Sequence, residues 1–345
     1  MCGIFGVIEF KDKIDAQRVI NARDILRHRG PDDAGLFISD DGNVALAHRR
    51  LSIQDLSPAG HQPMFSDDKR YVIVYNGEIY NFRILKRELE AEGIKFFSNS
   101  DTEVILKLFI KDGWKCLNKL RGMFAFAIWD NQTKRLYAAR DRFGIKPLYF
   151  LHSNDQFIFS SELKAIKDYK KNLSISHQGI YAYLKTGSVP APLTIYEETQ
   201  ALIPGKYLET DLNGQTRSYP YWSFSNLLKE DRSLNKIYNE EVREQIKNSL
   251  LETIDFHRVS DVEVGTFLSG GIDSTAILSL MRQTGQDKIK TISVAFPGHH
   301  LDESRYSIIA SKKYQTDHYE YKLQEDELIN DFEKIIDAIN FGFTT

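Results

Sequence analysis

The apolar pattern of this 345-residue chain changes character once, and that change limits what it can fold into. Up to about residue 222, short apolar or β-branched segments alternate with turn residues. They fall at 2–10 (CGIFGVIEF), 35–39, 44–48, 71–75, 122–130 (GMFAFAIWD), 134–139, 147–151 and 156–161, with 202–210 and 216–222 as a later pair. Each reads as a strand. Helical spacing occurs at 15–27, 80–92 and 101–112, the last opening at Ser100 or Asp101 as a cap and repeating Val104, Ile105, Leu108 and Phe109. A sheet-rich domain over 2–224 is predicted. Residues 225–236 (SNLLKEDRSLNK) turn polar and read as a linker. Beyond them the order is helix 237–256, strand 262–268, helix 273–284, strand 289–296, helix 303–315, strand 317–322 and helix 325–338. That alternation builds a parallel, doubly wound α/β sheet. Three strands make a small sheet with exposed edges, so the second domain, 237–345, is expected to be incomplete.

Composition narrows the function. With 42% hydrophobic and 27% charged residues the chain is no disordered tract, and a net charge of -3 gives it no affinity for a polyanion or an acidic lipid surface. Nucleic acid and membrane partners are not expected. Cysteine occurs only at positions 2 and 116, and the residues after Met1 carry neither a basic n-region nor a long apolar run, which predicts a cytoplasmic protein with free thiols. Cys116, close behind Trp114 in an amphipathic stretch, reads as a small buried hydrophobe.

Cys2 is chemically distinctive. Methionine aminopeptidase removes Met1 before a small side chain, which leaves a thiol and a free α-amine on one residue. An α-amine of pKa ~7.7–8.0 can then take the proton of a thiol of pKa ~8.5, directly or through water. The bland alternative is a small residue opening a buried strand. Gly3 and Gly6 keep the surrounding backbone free of bulk, while Ile4, Phe5, Val7 and Ile8 would hold the thiol rigidly at a strand end.

Three polar clusters follow, at 48–54 (HRRLSIQ), 76–82 (NGEIYNF) and 99–103 (NSDTE). An amide substrate with an amino-acid end needs a cation for its carboxylate, an anion for its ammonium and donors for the oxyanion formed on thiol attack. Arg50 can supply the first, Glu78 and Asp101 the second, and Asn76 with the Gly77 N–H the third. The competing readings are a solvated Arg49-Arg50 pair, an Asn76-Gly77 turn and Asp101 as a helix cap.

Eight segments together, CGIFGV at 2–7, RHRGPDD at 27–33, HRRLSI at 48–53, GHQPM at 60–64, YNGEIYN at 75–81, SDTE at 100–103, RGMFAFAIWD at 121–130 and RDRFGIKPLY at 140–149, resemble the class II glutamine amidotransferase domain of asparagine synthetases. The resemblance implies an α+β N-terminal-nucleophile fold, an αββα sandwich, in which Cys2 forms a γ-glutamyl thioester and releases ammonia. It places Arg50 on the substrate carboxylate, backbone glutamine contacts at Leu51, Ser52, Ile53 and Gln54, Asn76 and Gly77 at the oxyanion, Glu78 on the substrate and Asp101 on its ammonium. No catalytic role falls to His28 or Arg29, whose segment reads equally well as a turn at Pro31.

VGTFLSGGIDSTAI at 264–277 puts two glycines and two serines between a strand end and a helix start, where backbone N–H groups can hold a phosphate; a tight βα turn is the competing explanation. After an amidotransferase domain, SGGIDS resembles the pyrophosphate loop of enzymes that adenylate a carboxylate. By that resemblance Ser269, Gly270, Gly271, Asp273 and Ser274 surround the pyrophosphate of ATP, Asp273 holds Mg2+, and Leu268 and Val294 lie near the adenosine. Aspartate, ATP and glutamine would be the substrates, with ammonia passing through an internal tunnel, and a homodimer stays open as the assembly. A second acidic, glycine-rich loop has no counterpart before Thr345, and the final NFGFTT departs from the family pattern as a truncated or frameshifted product would. Two other readings compete: an amidotransferase acting on another carboxylate, and a non-catalytic glutamine-binding module. SGGIDS argues against a phosphoribosylpyrophosphate amidotransferase.

Overall fold

The structure, a computed structural model, describes residues 1–230, 239–285, 288–299 and 302–338. The chain divides into two compact units, one running through residue 232 and the other from 233 to 339.

The first unit contains, in order, β1 (Gly3–Glu9), α1 (Ala16–Asp24), β2 (Asp33–Ile38), β3 (Val44–Arg50), β4 (Met64–Phe65), β5 (Tyr71–Ile79), α2 (Phe82–Ala91), α3 (Asp101–Asp112), β6 (Gly122–Asp130), β7 (Arg135–Arg140), β8 (Tyr149–His152) and β9 (Gln156–Ser160). It continues with α4 (Leu163–Lys170), α5 (His177–Thr186), β10 (Thr199–Ala201), β11 (Lys206–Asp211), β12 (Thr216–Pro220) and α6 (Phe224–Glu230). The strands form two six-stranded sheets, ordered β10-β8-β9-β1-β3-β2 and β12-β11-β7-β6-β5-β4, antiparallel throughout.

The period-2 alternation of a strand explains the layers. On β1, Ile4 and Ile8 enter a core shared with Val72, Val74, Trp129 and Phe159 between the sheets, whereas Phe5 and Val7 meet Val19, Ala22 and Ile166 of α1 and α4 on the outer face. On the far side, α3 packs against β5 and α2. The result is the expected αββα sandwich. β1 is buried along its whole length, so its apolar run faces no solvent on either side. Ser100 caps α3, its side chain accepting from the Thr102 N–H at 3.2 Å, and Gly113 ends that helix at φ +56°.

Three expectations change. The predicted strand 202–210 begins only at Lys206, as β11 of the second sheet; ahead of Pro204-Gly205 the chain forms the unanticipated β10 (Thr199–Ala201) of the first sheet. A proline removes a ladder donor, and Gly205 adopts φ +71°, which lets the chain cross between the sheets. The predicted linker begins as helix α6, and its remainder, 231–236, lies outside the described residues. Helices α4 and α5 were not anticipated.

The second unit contains α7 (Glu240–His257), β13 (Gly265–Phe267), α8 (Ile272–Gln283), β14 (Lys290–Ala295), α9 (Ser304–Tyr314), β15 (Asp317–Lys322), α10 (Glu325–Asn330) and α11 (Phe332–Ala338). The predicted helix 325–338 is thus two helices that part at Asp331, while NFGFTT lies outside the described residues. The three strands run parallel in the order β13-β14-β15, one βαβαβ run of the expected α/β architecture. Leu268, Leu278, Met281, Ile289 and Ala310 form its core. The alternate side chains Phe267, Ile292, Val294, Tyr319 and Tyr321 are 40–78% exposed, and the register sets them side by side. No described helix is long and apolar enough to cross a membrane.

Gly30 sits where a turn meets β3: a Cβ there would lie 2.3 Å from the backbone carbonyl of Arg49 and 2.6 Å from the Arg50 nitrogen. Gly30→Ala is therefore expected to destabilise the first unit by about 1–3 kcal/mol, the usual cost of forcing atoms into a filled site. A urea melt followed by tryptophan fluorescence measures this, and an unchanged midpoint would show that the turn can withdraw.

Candidate active site

The pairing of Gly3 with Arg49 brings Cys2, just ahead of β1, to the end of β3. The Cys2 Sγ lies 3.5 Å from the Leu51 N–H nitrogen, which donates to it, and 3.7 Å from the Leu51 carbonyl oxygen. Burial pushes the thiol pKa up, partly offset by the Leu51 backbone. In the structure Met1 precedes Cys2, so the free amine is that of Met1, and burial lowers its pKa. The start of β1 is pinned: the Ile4 N–H donates to Ser161 Oγ at 3.1 Å, the Ser161 N–H to the Ile4 carbonyl at 3.0 Å, and Arg29 Nε to the Cys2 carbonyl at 3.0 Å.

Arg49 and Arg50 are buried, not solvated. Arg50 donates Nη1 to the Ser57 carbonyl at 3.1 Å and Nη2 to the carbonyls of Gln54, at 3.2 Å, and Asp55. Its planar fork is thereby held in one orientation. Asn76-Gly77 is no turn but the interior of β5, opposite Ala125 and Phe124. Gly77 permits that pairing, since a Cβ would lie 2.3 Å from the Met123 carbonyl oxygen. Strand alternation places Asn76 and Glu78 on the face of Val72 and Val74, toward the first sheet. The Asn76 side chain is fully buried, and neither its Oδ1 nor its Nδ2 has a hydrogen-bond partner.

Asp101, the first residue of α3 rather than its cap, accepts from Tyr75 Oη at 2.8 Å and from the Ile79 N–H at 2.9 Å. Glu78 accepts from Gln54 Nε2 at 2.6 Å. Burial raises both carboxyls, and for Glu78 the nearby Asp101 charge adds to it, so that Glu78 titrates at about 8 and Asp101 at about 6.

One cleft gathers Cys2, Arg50, Leu51, Ile53, Gln54, Gly77, Glu78 and Asp101. Neither Ser52 nor the fully buried Asn76 is on its wall; the Ser52 N–H donates to Asp32. Gln62, Tyr75 and Thr102 also line the cleft and were missed, although GHQPM and YNGE contain two of them. Arg29, Glu162 and Lys146 were missed as well. Lys146 is almost fully buried, in a loop where Asp141 accepts the N–H groups of Phe143, Ile145 and Lys146. Burial lowers its pKa against the opposing pull of Glu78. Only the folded chain brings such residues to Cys2.

In the second unit, Ser269, Gly270 and Gly271 lie between β13 and α8, and Asp273 and Ser274 fall in the first turn of α8. Gly270 has φ +83°, and a Cβ there would lie 2.5 Å from the Ser307 nitrogen. Ser269 Oγ and Ser274 Oγ are 3.1 Å apart, and the Gly271 N–H donates to Ser269 at 3.2 Å. Two hydroxyls and the first N–H groups of a twelve-residue helix suit a phosphate chain. Among the described residues no three acidic, histidine or cysteine side chains converge as a metal site. The exposed Asp273 alone suits Mg2+ that arrives with phosphates. Leu268 turns its side chain into the core, while Val294 stands exposed on the opposite sheet face, so the two do not meet.

Comparison with known proteins follows the same division. The family model described as a glutamine amidotransferase domain matches residues 1–222, and the one described as asparagine synthase matches 245–345. A putative glutamine-hydrolyzing asparagine synthetase 2 of Methanocaldococcus jannaschii is 37% identical over 363 residues, covering 99% of this chain and 68% of the relative. Glutamine-hydrolyzing asparagine synthetase 1 of Bacillus subtilis is 34% identical over 342 residues, covering 97% of this chain and 52% of the relative, so the chain spans about half of that protein's length. A solved glutamine phosphoribosylpyrophosphate amidotransferase from B. subtilis, complexed with ADP and GMP, matches with a TM-score of 0.54 at 15% identity over 99% of this chain and 95% of its own, a likeness of fold alone. With both family models matched in order and relatives aligned along nearly its whole length, the chain belongs to the glutamine-hydrolysing asparagine synthetase family.

Proposed function

We propose that the first unit hydrolyses glutamine at Cys2 and that the ammonia serves to amidate ATP-activated aspartate, giving asparagine, glutamate, AMP and pyrophosphate in the cytoplasm. The observation that carries the glutaminase reading is the buried, unpartnered amide of Asn76. Such a group costs about 1–3 kcal/mol when its bonds are unmade, and an oxyanion would supply the missing partner.

Once Met1 is removed, the α-amine of Cys2 takes the thiol proton and the sulfur attacks the side-chain amide carbon of glutamine. Asn76 Nδ2 and the Gly77 N–H receive the oxyanion. The carbon–nitrogen bond then breaks, the amine returns its proton to the leaving ammonia, and water hydrolyses the thioester to glutamate. Arg50 receives the substrate carboxylate through the N–H groups that its three carbonyl contacts leave uncommitted. Glu78 and Asp101 receive the ammonium, and residues 51–54 offer backbone contacts. In the second unit, residues 269–274 hold the phosphates of ATP, and Asp273 shares Mg2+ with them.

Cys2→Ala is expected to abolish glutamate release from glutamine while leaving the thermal melt unchanged; glutamate release at the wild-type rate would sink the assignment. The amidating half is read by asparagine and AMP formation from aspartate and ATP, lost in Cys2→Ala with glutamine but restored by ammonium salts. AMP formation that ignores aspartate would point to another acceptor.

The two carboxyls also have a measurable stability signature. Their folded pKa values lie above the unfolded ones, so the native state binds more protons and stability falls as pH rises from about 4.5, where Glu78 ionises unfolded, to about 8. Glu78→Gln is therefore expected to be more stable than the wild type at pH 8, on the order of 1 kcal/mol or more, with the difference vanishing near pH 4. Glutamine binding should weaken in the same variant. Parallel urea melts across that range check it, and equal pH slopes for the two proteins would refute it.

A further inference from the structure

Glu162 forms no wall of the cleft, yet its contacts lead to the nucleophile. The carboxylate is buried, its side chain only 4% exposed. Its Oε1 accepts from Arg29 Nη1 and from His28 Nε2, each at 2.9 Å, and its Oε2 lies 3.1 Å from Lys164 Nζ. Arg29, itself 9% exposed, uses its Nε to reach the Cys2 carbonyl at 3.0 Å. The two residues before Glu162 grip the next link of the same strand, through the Ser161 contacts to Ile4 and a 3.3 Å bond from Ser160 Oγ to the Ile4 carbonyl. One short segment thus holds the chain at Cys2, through Arg29, and again at Ile4.

This grip matters because of where Cys2 stands. Chain ends are poorly ordered unless tied down. After removal of Met1 no peptide precedes Cys2, so no pairing on that side can orient it, and its carbonyl is the backbone acceptor through which the residue can be held. Fixing that carbonyl fixes the rotation of the Cα that bears both the thiol and the amine. A guanidinium holding one carbonyl would swing between rotamers if unanchored, and the buried carboxylate supplies the anchor.

We infer that Glu162 is a positioning residue of the glutaminase reaction: it holds Arg29 against the Cys2 carbonyl and thereby aims the nucleophile and its base at the substrate amide. The inference rests on the reading of Cys2 as the nucleophile. It assigns Glu162 to the orientation of Cys2, leaving glutamine binding to the cleft residues.

Glu162→Gln and Glu162→Asp test it in the full chain with Met1 removed. Four quantities are measured: kcat, KM for glutamine, the rate of Cys2 labelling by the glutamine-shaped electrophile 6-diazo-5-oxo-L-norleucine, and the rate of its labelling by iodoacetamide. In Glu162→Gln, kcat and diazoketone labelling are expected to fall at least tenfold, with KM within twofold of wild type and iodoacetamide labelling retained. Glu162→Asp, which keeps the charge but shortens the reach, should fall between. Wild-type kcat and diazoketone labelling in both variants would overturn the inference, as would equal losses with both reagents, which would mean a general disturbance of the thiol. Should Glu162→Gln fail to fold, Glu162→Asp is read alone by the same criteria. A wild-type protein that labels normally but releases no glutamate would instead overturn the glutaminase reading, while the labelling comparison would still report on positioning.

Discussion

The site depends on one register. Six antiparallel pairs join β1 to β3, from Gly3 opposite Arg49 to Ile8 opposite Val44. They set the Cys2 thiol beside Leu51 and bring Arg50 to the same end of the sheet. A slip of one residue would send Ile4 and Ile8 to the helix side and Phe5 and Val7 between the sheets, a loss on both faces at once. The apolar pattern that fills two cores thus also fixes the position of Cys2. The second sheet answers from across the core: β5 presents Asn76 and Glu78 on the face that buries Val72 and Val74.

This arrangement makes the cleft expensive to keep. Glu78, Asp101 and Lys146 all have their charged forms disfavoured by burial, and Asn76 lacks partners. None of these groups helps the empty fold as an apolar residue in its place would. They persist because the surrounding layers supply the stability, a division of labour expected where function and packing compete.

Much of this was legible in the sequence. Short apolar segments with helices between them gave a sheet-rich first domain, the αββα layering came from the family resemblance, and Cys2, Arg50, Gly77, Glu78 and Asp101 were named from chemistry that one substrate would need. One alternative stayed open because local signals are ambiguous: Asn-Gly is a common turn pair, and only the ladder to β6 places it inside a strand. Arg29 lay in a segment whose glycine and proline already accounted for it as a turn. Its partner Glu162 is 133 residues away, and no spacing rule links two such positions. Leu268 and Val294 share an apolar character but point to opposite faces of their sheet, a distinction set by strand alternation. The strand expected over 202–210 was drawn through Pro204-Gly205 against that pair's own signal, and the placement of β10 and β11 in different sheets belongs to the tertiary fold.

The position of β1 in its sheet has a consequence for biosynthesis. Its two neighbours arrive at very different times: β3 follows within about forty residues, whereas β9 is translated some 150 residues later. At roughly 5–20 residues per second, the ribosome leaves one edge of this apolar strand unpaired for roughly ten to thirty seconds. Throughout that interval Ser161 and Glu162 have not yet been made, and Lys146 is made only near its end. The Cys2 thiol, among the first atoms made, is therefore among the last to be placed, and the nascent chain must shelter an open strand edge until the ninth strand emerges.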